Sequence, residues 1–401
     1  MRLNDSDGSA RRTAYVVLAG AVLARLAIAA LVPLAPDETY YWEWSRRLAA
    51  GYLDHPSAIA LLVRLGTLAL GATPLGVRAG SVIAGAAASI VIVIVTGRLG
   101  GVRAMPRAAW IIACMPLAQV GLSLATPDAP LLLFWSLALA ALAIAVRAES
   151  TSRARTLAWT LAGAALGAAM YSKYTASLLL AGAGAALLAH PSLRRALATP
   201  GPYAGLAAAL VVFAPNLAWN ANHRWASFAY QLDHGLAVHR GSALAHEASL
   251  LGGQMALVSP LILAALAYAV WRALRRRDDP VRTLFAVIAG VTWMAFIASA
   301  LRTAVEPNWQ APAYLSAIAL AASYDGGDRW RRLLRAGIAL GGAFTLIIYA
   351  QSLVPFLPLH ASSDPTATGA GWSAVAACVN SARPDAPSGA SSWVAGERYQ
   401  E

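Results

Sequence analysis

The chain has 401 residues, of which 58% are hydrophobic and 12% charged, with a formal net charge of +12. Soluble domains are typically about 45–50% apolar and about 25% charged, so this composition excludes a soluble enzyme, a disordered chain and a disulfide scaffold. About eleven membrane spans of ~20 residues would absorb the apolar excess.

Apolar runs occur near 13–35, 75–97, 108–125, 129–146, 156–172, 175–190, 203–219, 248–271, 282–300, 308–323 and 334–354. Each is long enough, or nearly so, to cross a bilayer as a helix, which satisfies its own backbone polar groups there. The expected fold class is therefore an all-α polytopic membrane protein with about eleven transmembrane helices. The first run is longer than a usual signal-peptide core, and the Ala-Pro-Asp after it is a poor cleavage site, so it reads as an uncleaved anchor. The run 57–70 is shorter and carries Arg64, which predicts an interfacial helix lying on the membrane in the first outer loop.

Charge sets the orientation. Of 31 basic residues, all but Lys173 are arginine. Alternate loops collect Arg2, Arg11 and Arg12; Arg98, Arg103 and Arg107; Arg147, Arg153 and Arg155; Arg194 and Arg195; Arg272, Arg275, Arg276, Arg277 and Arg282; Arg329, Arg331, Arg332 and Arg335. This is the pattern of cytoplasmic membrane loops rather than of a nucleic-acid surface, so no nucleic-acid partner is expected. It predicts a cytoplasmic N-terminus over 1–12, a membrane domain over 13–354, and a Pro/Ser/Gly-rich segment over 355–401 on the outer side. That last segment looks too short for a stable domain alone. Cys114 lies inside an apolar run far from Cys378, so neither a disulfide nor a cysteine metal site is expected.

The outer side differs in kind. Its long loops, 36–57 and 220–247, hold Asp37, Glu38, Glu43, Asp54, Asp233 and Glu247 and five of the seven histidines. Pro36-Asp37-Glu38-Thr39-Tyr40-Tyr41-Trp42-Glu43-Trp44 follows the first span directly. It reads either as a helix cap with an aromatic interface belt, or as a carboxylate that takes a proton from an attacking hydroxyl, with aromatic rings to stack on a sugar. Asp54-His55-Pro56 suits metal ligation or proton transfer, or is a turn before the interfacial helix. Asp128 in Thr126-Pro127-Asp128-Ala129-Pro130 caps a helix, or is a second acid facing the cavity of Asp37. Lys173, in Ser172-Lys173-Tyr174, is a compact cation suited to a phosphate oxygen, or a snorkelling interface lysine. Arg302, four residues before Glu306-Pro307-Asn308-Trp309, forms an ion pair with Glu306 or clamps a phosphate. The segment from Trp219-Asn220 to His234-Gly235 is polar, aromatic and long enough to be a functional loop. All six groups fall on one side of the derived topology, where acids would handle a hydroxyl and cations a phosphate.

In order and spacing these motifs, with Ala311-Pro312-Ala313-Tyr314, resemble the bacterial branch of the dolichyl-phosphate-mannose protein mannosyltransferase-like family, glycosyltransferase family 39. It shares the multi-span GT-C fold with the lipid A aminoarabinose transferases. The resemblance covers roughly residues 12–355. It implies transfer of a monosaccharide from a polyprenyl-phosphate donor to an envelope acceptor (lipopolysaccharide or lipid A, a glycan or a protein), in a site facing the periplasm. The family's first-loop acid falls on Asp37, with Glu38 as its usual neighbour. A following acid falls on Asp54 and an adjacent cation position on His55, where aminoarabinose transferases carry Lys. A relative's metal-binding loop histidine is similar in context to His234, which implies a divalent metal held by Asp54 and His234. Tyr40 stands where that relative has Arg, so a different substrate is expected. Members often carry a longer soluble tail, so a chain ending at Glu401 would be a short or an incomplete variant.

The expected reaction has Asp37, with Glu38 and Asp128, as the acidic group, and Tyr40, Tyr41, His55, Lys173, Tyr174, Arg302, Glu306, Asn308 and Trp309 around the substrate. The hydroxyl attacks the anomeric carbon opposite the phosphate, inverting configuration. The alternatives weighed are a lipid-sugar flippase or transporter, which would carry midplane charges and repeats that this sequence lacks, and a membrane scaffold.

Overall fold

The structure is a computed structural model that describes residues 5–147, 152–236, 242–360 and 363–382. Among these residues the regular structure is helical, apart from one isolated bridge between Gly51 and Pro56. Helix α1 (Asp5–Leu31) is the first apolar run. A Pro-containing elbow leads into α2 (Pro36–Arg46), whose first-turn acids Asp37 and Glu38 suit the positive end of a helix. The expected short helix is α3 (Ala58–Leu70), ended by Gly71 at φ +76°. Helix α4 (Pro74–Gly100) starts where Thr73 Oγ1 accepts from the Gly76 N–H.

The third run splits into α5 (Met105–Cys114) and α6 (Pro116–Gly121), because Pro116 cannot continue the α5 hydrogen-bond ladder. Helices α7 (Asp128–Val146) and α8 (Ser152–Met170) follow. Helix α9 (Ser177–Ala189) is succeeded by the short α10 (Pro191–Arg194), across a bend of 104°. Helix α11 (Gly201–Asn222) turns through Arg224 and Trp225, both at positive φ, into α12 (Ala226–Leu236). Helices α13 (Ala243–Val258), α14 (Pro260–Arg276), α15 (Pro280–Ala300), α16 (Ala311–Ser323), α17 (Gly327–Leu353) and α18 (Trp372–Ala382) complete the order.

Each apolar run is helical, but the expectation of about eleven crossings is not confirmed. Among the described residues six helices are long and apolar enough to cross a membrane, or up to eight if each sharply bent pair is one span. The run 248–271, read as one helix, bends by 102° at Ser259, where Pro260 starts a new helix and Ser259 Oγ caps it through the Ile262 N–H. The run 308–323 yields the 13-residue α16, about 20 Å long at ~1.5 Å per residue and short of a ~30 Å hydrocarbon core. Every residue of α16 is buried, and it packs against α4, α5, α7, α14 and α15, so it is the inner axis of the bundle.

Helices α8 and α11 approach through glycine. A Cβ on Gly163 would stand 1.8 Å from the Gly205 carbonyl oxygen, and one on Gly167 2.5 Å from that of Ala209. Small residues spaced by four let two helices in lipid touch backbone to backbone. This contact fixes the loop after α8, which carries Lys173, against the polar end of α11.

Candidate active site

The elbow after α1 is built around Glu38, which is 1% exposed. Its Oε2 accepts from the Ala35 N–H (2.9 Å), closing a capping box, and its Oε1 accepts from the Ala125 N–H (2.8 Å). Arg78 of α4 grips both oxygens, from Nε at 2.7 Å and Nη2 at 2.6 Å. The same guanidinium donates to the carbonyls of Ala29, Val32 and Pro33. Glu38 therefore does not fit the catalytic role expected of it. It ties α1, α2, α4 and the segment before α7 into one joint, and none of its oxygens is left for a substrate.

Its neighbour Asp37 projects about 100° further around the helix and borders a cavity of ≈ 600 Å³. Tyr40 and Tyr41 of α2 and Asp54 and His55 of the next loop line the same cavity, with Asp128 at the start of α7, Lys173 and Tyr174 after α8, and Glu306, Asn308 and Trp309 before α16. Tyr230 and Gln231 of α12 and Phe296 and Ser299 of α15 close it. Two candidates fall elsewhere or are undefined. Arg302 is exposed on the turn that ends α15 and is not part of the wall. It makes no ion pair with Glu306 among the described residues, so both readings of Arg302 are corrected; a flexible guanidinium at a helix end stays in water. The side chain of His234 lies outside the described residues. Among the described residues no group of three or more His, Cys, Asp and Glu side chains could hold a metal ion, so the divalent-metal expectation gains no geometry.

Lys173 is not a free phosphate clamp. Its Nζ lies 2.7 Å from Asp128 Oδ1, and both side chains are buried at the cavity wall. Asn308 Nδ2 donates to the other Asp128 oxygen at 2.8 Å, and the Lys173 ammonium stands 6.0 Å from the centre of the Trp309 ring. Asp128 occupies the first turn of α7 but makes no side-chain cap, so the capping reading is corrected. The three residues form one charge-balanced unit from three separate chain segments.

The loop 47–57 is held stiffly. Tyr52 stacks on Trp44 at 4.1 Å and its hydroxyl donates to the carbonyls of Trp44 and Arg47. Helix α12 fastens it from the other side: Ser227 Oγ donates to the Tyr52 carbonyl and Gln231 Nε2 to that of Asp54, both at 2.6 Å. His55 sits under this clasp with its Nδ1 buried and unpartnered. Burial first, and Lys173 second, push its pKa down to about 3 against the opposing pull of Asp128. The ring is neutral near pH 7, so the expected cation position carries no charge.

Sequence reasoning missed Arg78 and Asn216, and named Asn220 only as the start of a polar loop. The fully buried amides of α11 clamp the site: Tyr174 Oη donates to Asn216 Oδ1 (3.2 Å), Asn220 Nδ2 donates to Tyr174 Oη (3.3 Å) and Asn216 Nδ2 to the Ala50 carbonyl (3.2 Å). The available signal was a charged or amide residue within an apolar run, which in a membrane marks a paired or functional group. Beyond α15 and Trp309 lies an open apolar hollow of ≈ 460 Å³, lined by Leu244, Leu251, Leu263, Trp293 and Ile297 among others. At its base Gln254 Nε2 donates to the Pro307 carbonyl and Tyr314 Oη to Gln254 Oε1.

Residues 54–219 match the sequence profile of the dolichyl-phosphate-mannose-protein mannosyltransferases. The chain is 26% identical over 338 residues to the lipid A galacturonosyltransferase RgtD of Rhizobium johnstonii, covering 82% of this chain and 68% of that one. Its fold aligns with ArnT of Cupriavidus metallidurans, solved bound to undecaprenyl phosphate, at a TM-score of 0.69 and 19% identity over 91% of this chain and 69% of ArnT. The chain has the GT-C fold. The fold likeness extends to the oligosaccharyltransferase AglB of Archaeoglobus fulgidus, solved with an inhibitory peptide and a dolichol phosphate, at a TM-score of 0.53 and 15% identity over 85% of this chain and 56% of AglB. Within this fold the acidic α2, the Asp128–Lys173 pair and the pre-α16 turn all border one cavity.

Proposed function

We propose that this chain is a glycosyltransferase that moves a monosaccharide from a polyprenyl-phosphate donor to a hydroxyl of an envelope acceptor, on the periplasmic face of the bacterial inner membrane. The observation that carries the reading is that Asp37 and the Lys173–Asp128–Asn308 unit, from distant parts of the chain, border one cavity beside an apolar hollow. Lipid A is the favoured acceptor, on the likeness to RgtD, and an undecaprenyl-type phosphate the favoured donor, on the likeness to ArnT.

Asp37 accepts the proton of the acceptor hydroxyl as its oxygen attacks the anomeric carbon. The carbon–oxygen bond to phosphate breaks on the opposite face, and the phosphate leaves with the electron pair, so the product is inverted. Charge builds on the departing phosphate, where a fixed cation is most effective in a site shielded from water. Lys173 meets that need with the ammonium N–H groups that Asp128 does not engage. Asp128 and Asn308 hold it against Trp309. The prenyl chain lies in the apolar hollow past Trp309, and Tyr40, Tyr41 and Tyr174 offer ring faces and hydroxyls to the sugar.

The test is transfer from a labelled polyprenyl-phosphate sugar in vesicles containing the purified chain and lipid A. Labelled lipid A with the inverted anomeric configuration supports the proposal. Movement of the donor across the membrane without transfer, or retention of configuration, contradicts it.

A further inference from the structure

The end of the bundle opposite the cavity carries a second built feature. Helix α7 starts at Asp128 in the cavity wall and runs for 19 residues to Val146, which puts Arg147 about 28 Å from Asp128 at ~1.5 Å per residue. That distance is close to one hydrocarbon thickness, ~30 Å. Helices α4 and α7 both end on this side, and between their last turns lies a groove of ≈ 220 Å³.

The groove has apolar walls and a cationic mouth. Val95 and Leu99 of α4 face Ala140, Ala143 and Ile144 of α7, with Arg98 and Arg147 at the rim. The small Ala140 and Ala143 leave the space that a larger side chain would fill. Ile144, 44% exposed, leaves the groove open on the outside of the bundle. Arg147 Nη1 donates to the Arg98 carbonyl at 2.9 Å, and its Nη2 stands 3.9 Å from Asp279. Arg282 donates to the Leu99 carbonyl and shares Asp279, and its further electrostatic neighbours are Asp278 and Arg272. The guanidinium of Arg98 makes no hydrogen bond or ion pair among the described residues. Among the described residues the local balance is cationic, and Arg98 sits at the rim of an apolar slot.

We propose that this groove binds an anionic phospholipid of the facing leaflet, with an acyl chain between α4 and α7 and the phosphate on Arg98. Charge complementarity selects this occupant. A zwitterionic lipid would bring its own cation to the guanidinium, and a soluble anion would gain nothing from the apolar walls. The site does not depend on the transferase reading, because it uses none of that cavity's residues.

The experiment titrates the full chain in detergent with phosphatidylglycerol, phosphatidylcholine or glycerol phosphate, and reads bound lipid by native mass spectrometry and the shift in Tm. Phosphatidylglycerol is expected to bind and raise Tm, with phosphatidylcholine and glycerol phosphate without effect. Arg98→Gln should weaken binding about five-fold, the size expected for one basic residue near an anionic lipid surface. Ala143→Leu should exclude the lipid by filling the slot. Arg195→Gln, an exposed arginine in a different connector, should change nothing. Equal retention of phosphatidylcholine, saturation by glycerol phosphate, or equal weakening by Arg195→Gln would overturn the proposal. If Ala143→Leu does not fold, Arg98→Gln decides alone, because its side chain is exposed and makes no pair among the described residues; unchanged binding in that variant refutes the site.

Discussion

Two adjacent carboxylates, Asp37 and Glu38, meet different surroundings, the first at the cavity and the second in a buried ion pair, because a helix turns them about 100° apart. Glu38 is enclosed by Arg78 and two backbone N–H groups, so removing its charge leaves a buried guanidinium uncompensated. Glu38→Gln should cost about 3–5 kcal/mol of stability, the usual range for breaking a buried pair from one side. Thermal unfolding in detergent measures it, and an unchanged Tm would show the joint to be dispensable. For Lys173 and Asp128 a double-mutant cycle is the sharper probe. Lys173→Met and Asp128→Asn should each impair stability and transfer, and the double variant should lose far less than the sum. Strict additivity would mean that the 2.7 Å contact is not an energetic unit. His55 gives a pH signature. Its pKa falls from 6.5 to about 3 on folding, so the unfolded chain takes up the proton first. Stability is then flat above pH ~6.5 and declines as pH falls from there toward ~3, by at most ~1.4 kcal/mol per unit. His55→Gln should remove that part of the acid sensitivity, and an identical pH–Tm profile would contradict the burial of the ring.

At the level of helices, the apolar runs located every major element, but they could not show which of them are straight, bent or central. A hydrophobic count is the same for a lipid-facing span and for α16, whose neighbours are all protein. The breaks at Pro116, Pro191 and Pro260 were visible as proline. Only packing decides whether such a residue kinks one span or starts another helix, as Ser259 shows at φ +70°. The glycines of α8 and α11 were likewise unremarkable in composition yet set the closest approach in the fold. Gly163→Leu should force the two backbones apart and cost more than the ~1–3 kcal/mol of ordinary overpacking. Gly184→Ala, which meets nothing within 4 Å, should be nearly neutral. Fluorescence-detected size exclusion of the two variants separates them; equal behaviour would deny the contact.

For the whole molecule, most of the cavity was legible because chemistry-bearing residues are rare in an apolar chain. Asp37, Asp54, Asp128, Lys173 and the Glu306–Trp309 turn stood out one by one, and they share a wall. Their pairing was not legible. The Lys173–Asp128 contact joins positions 45 apart in sequence and the Asn308–Asp128 contact positions 180 apart, and no local pattern encodes either. Arg302 misled because an isolated cation near a site motif looks the same whether it points inward or into water. Helix α7 carries Asp128 at one end and leads into Arg147 at the other, and the arginine pattern predicts that the Asp128 end is the periplasmic one. Cysteines placed singly at positions 54 and 147 should therefore react with impermeant thiol reagents from the periplasmic side at 54 alone; reaction at 147 alone would invert the topology.

The central claim is that Asp37 is the proton acceptor in the cavity it shares with Lys173. Its most direct test is the transfer rate of Asp37→Asn in vesicles with a labelled polyprenyl-phosphate sugar, alongside the variant's donor affinity. The predicted result is a loss of about 10²–10⁴-fold in rate, the usual contribution of a general base, with folding and donor binding retained. A rate within a few-fold of the parent chain would contradict it.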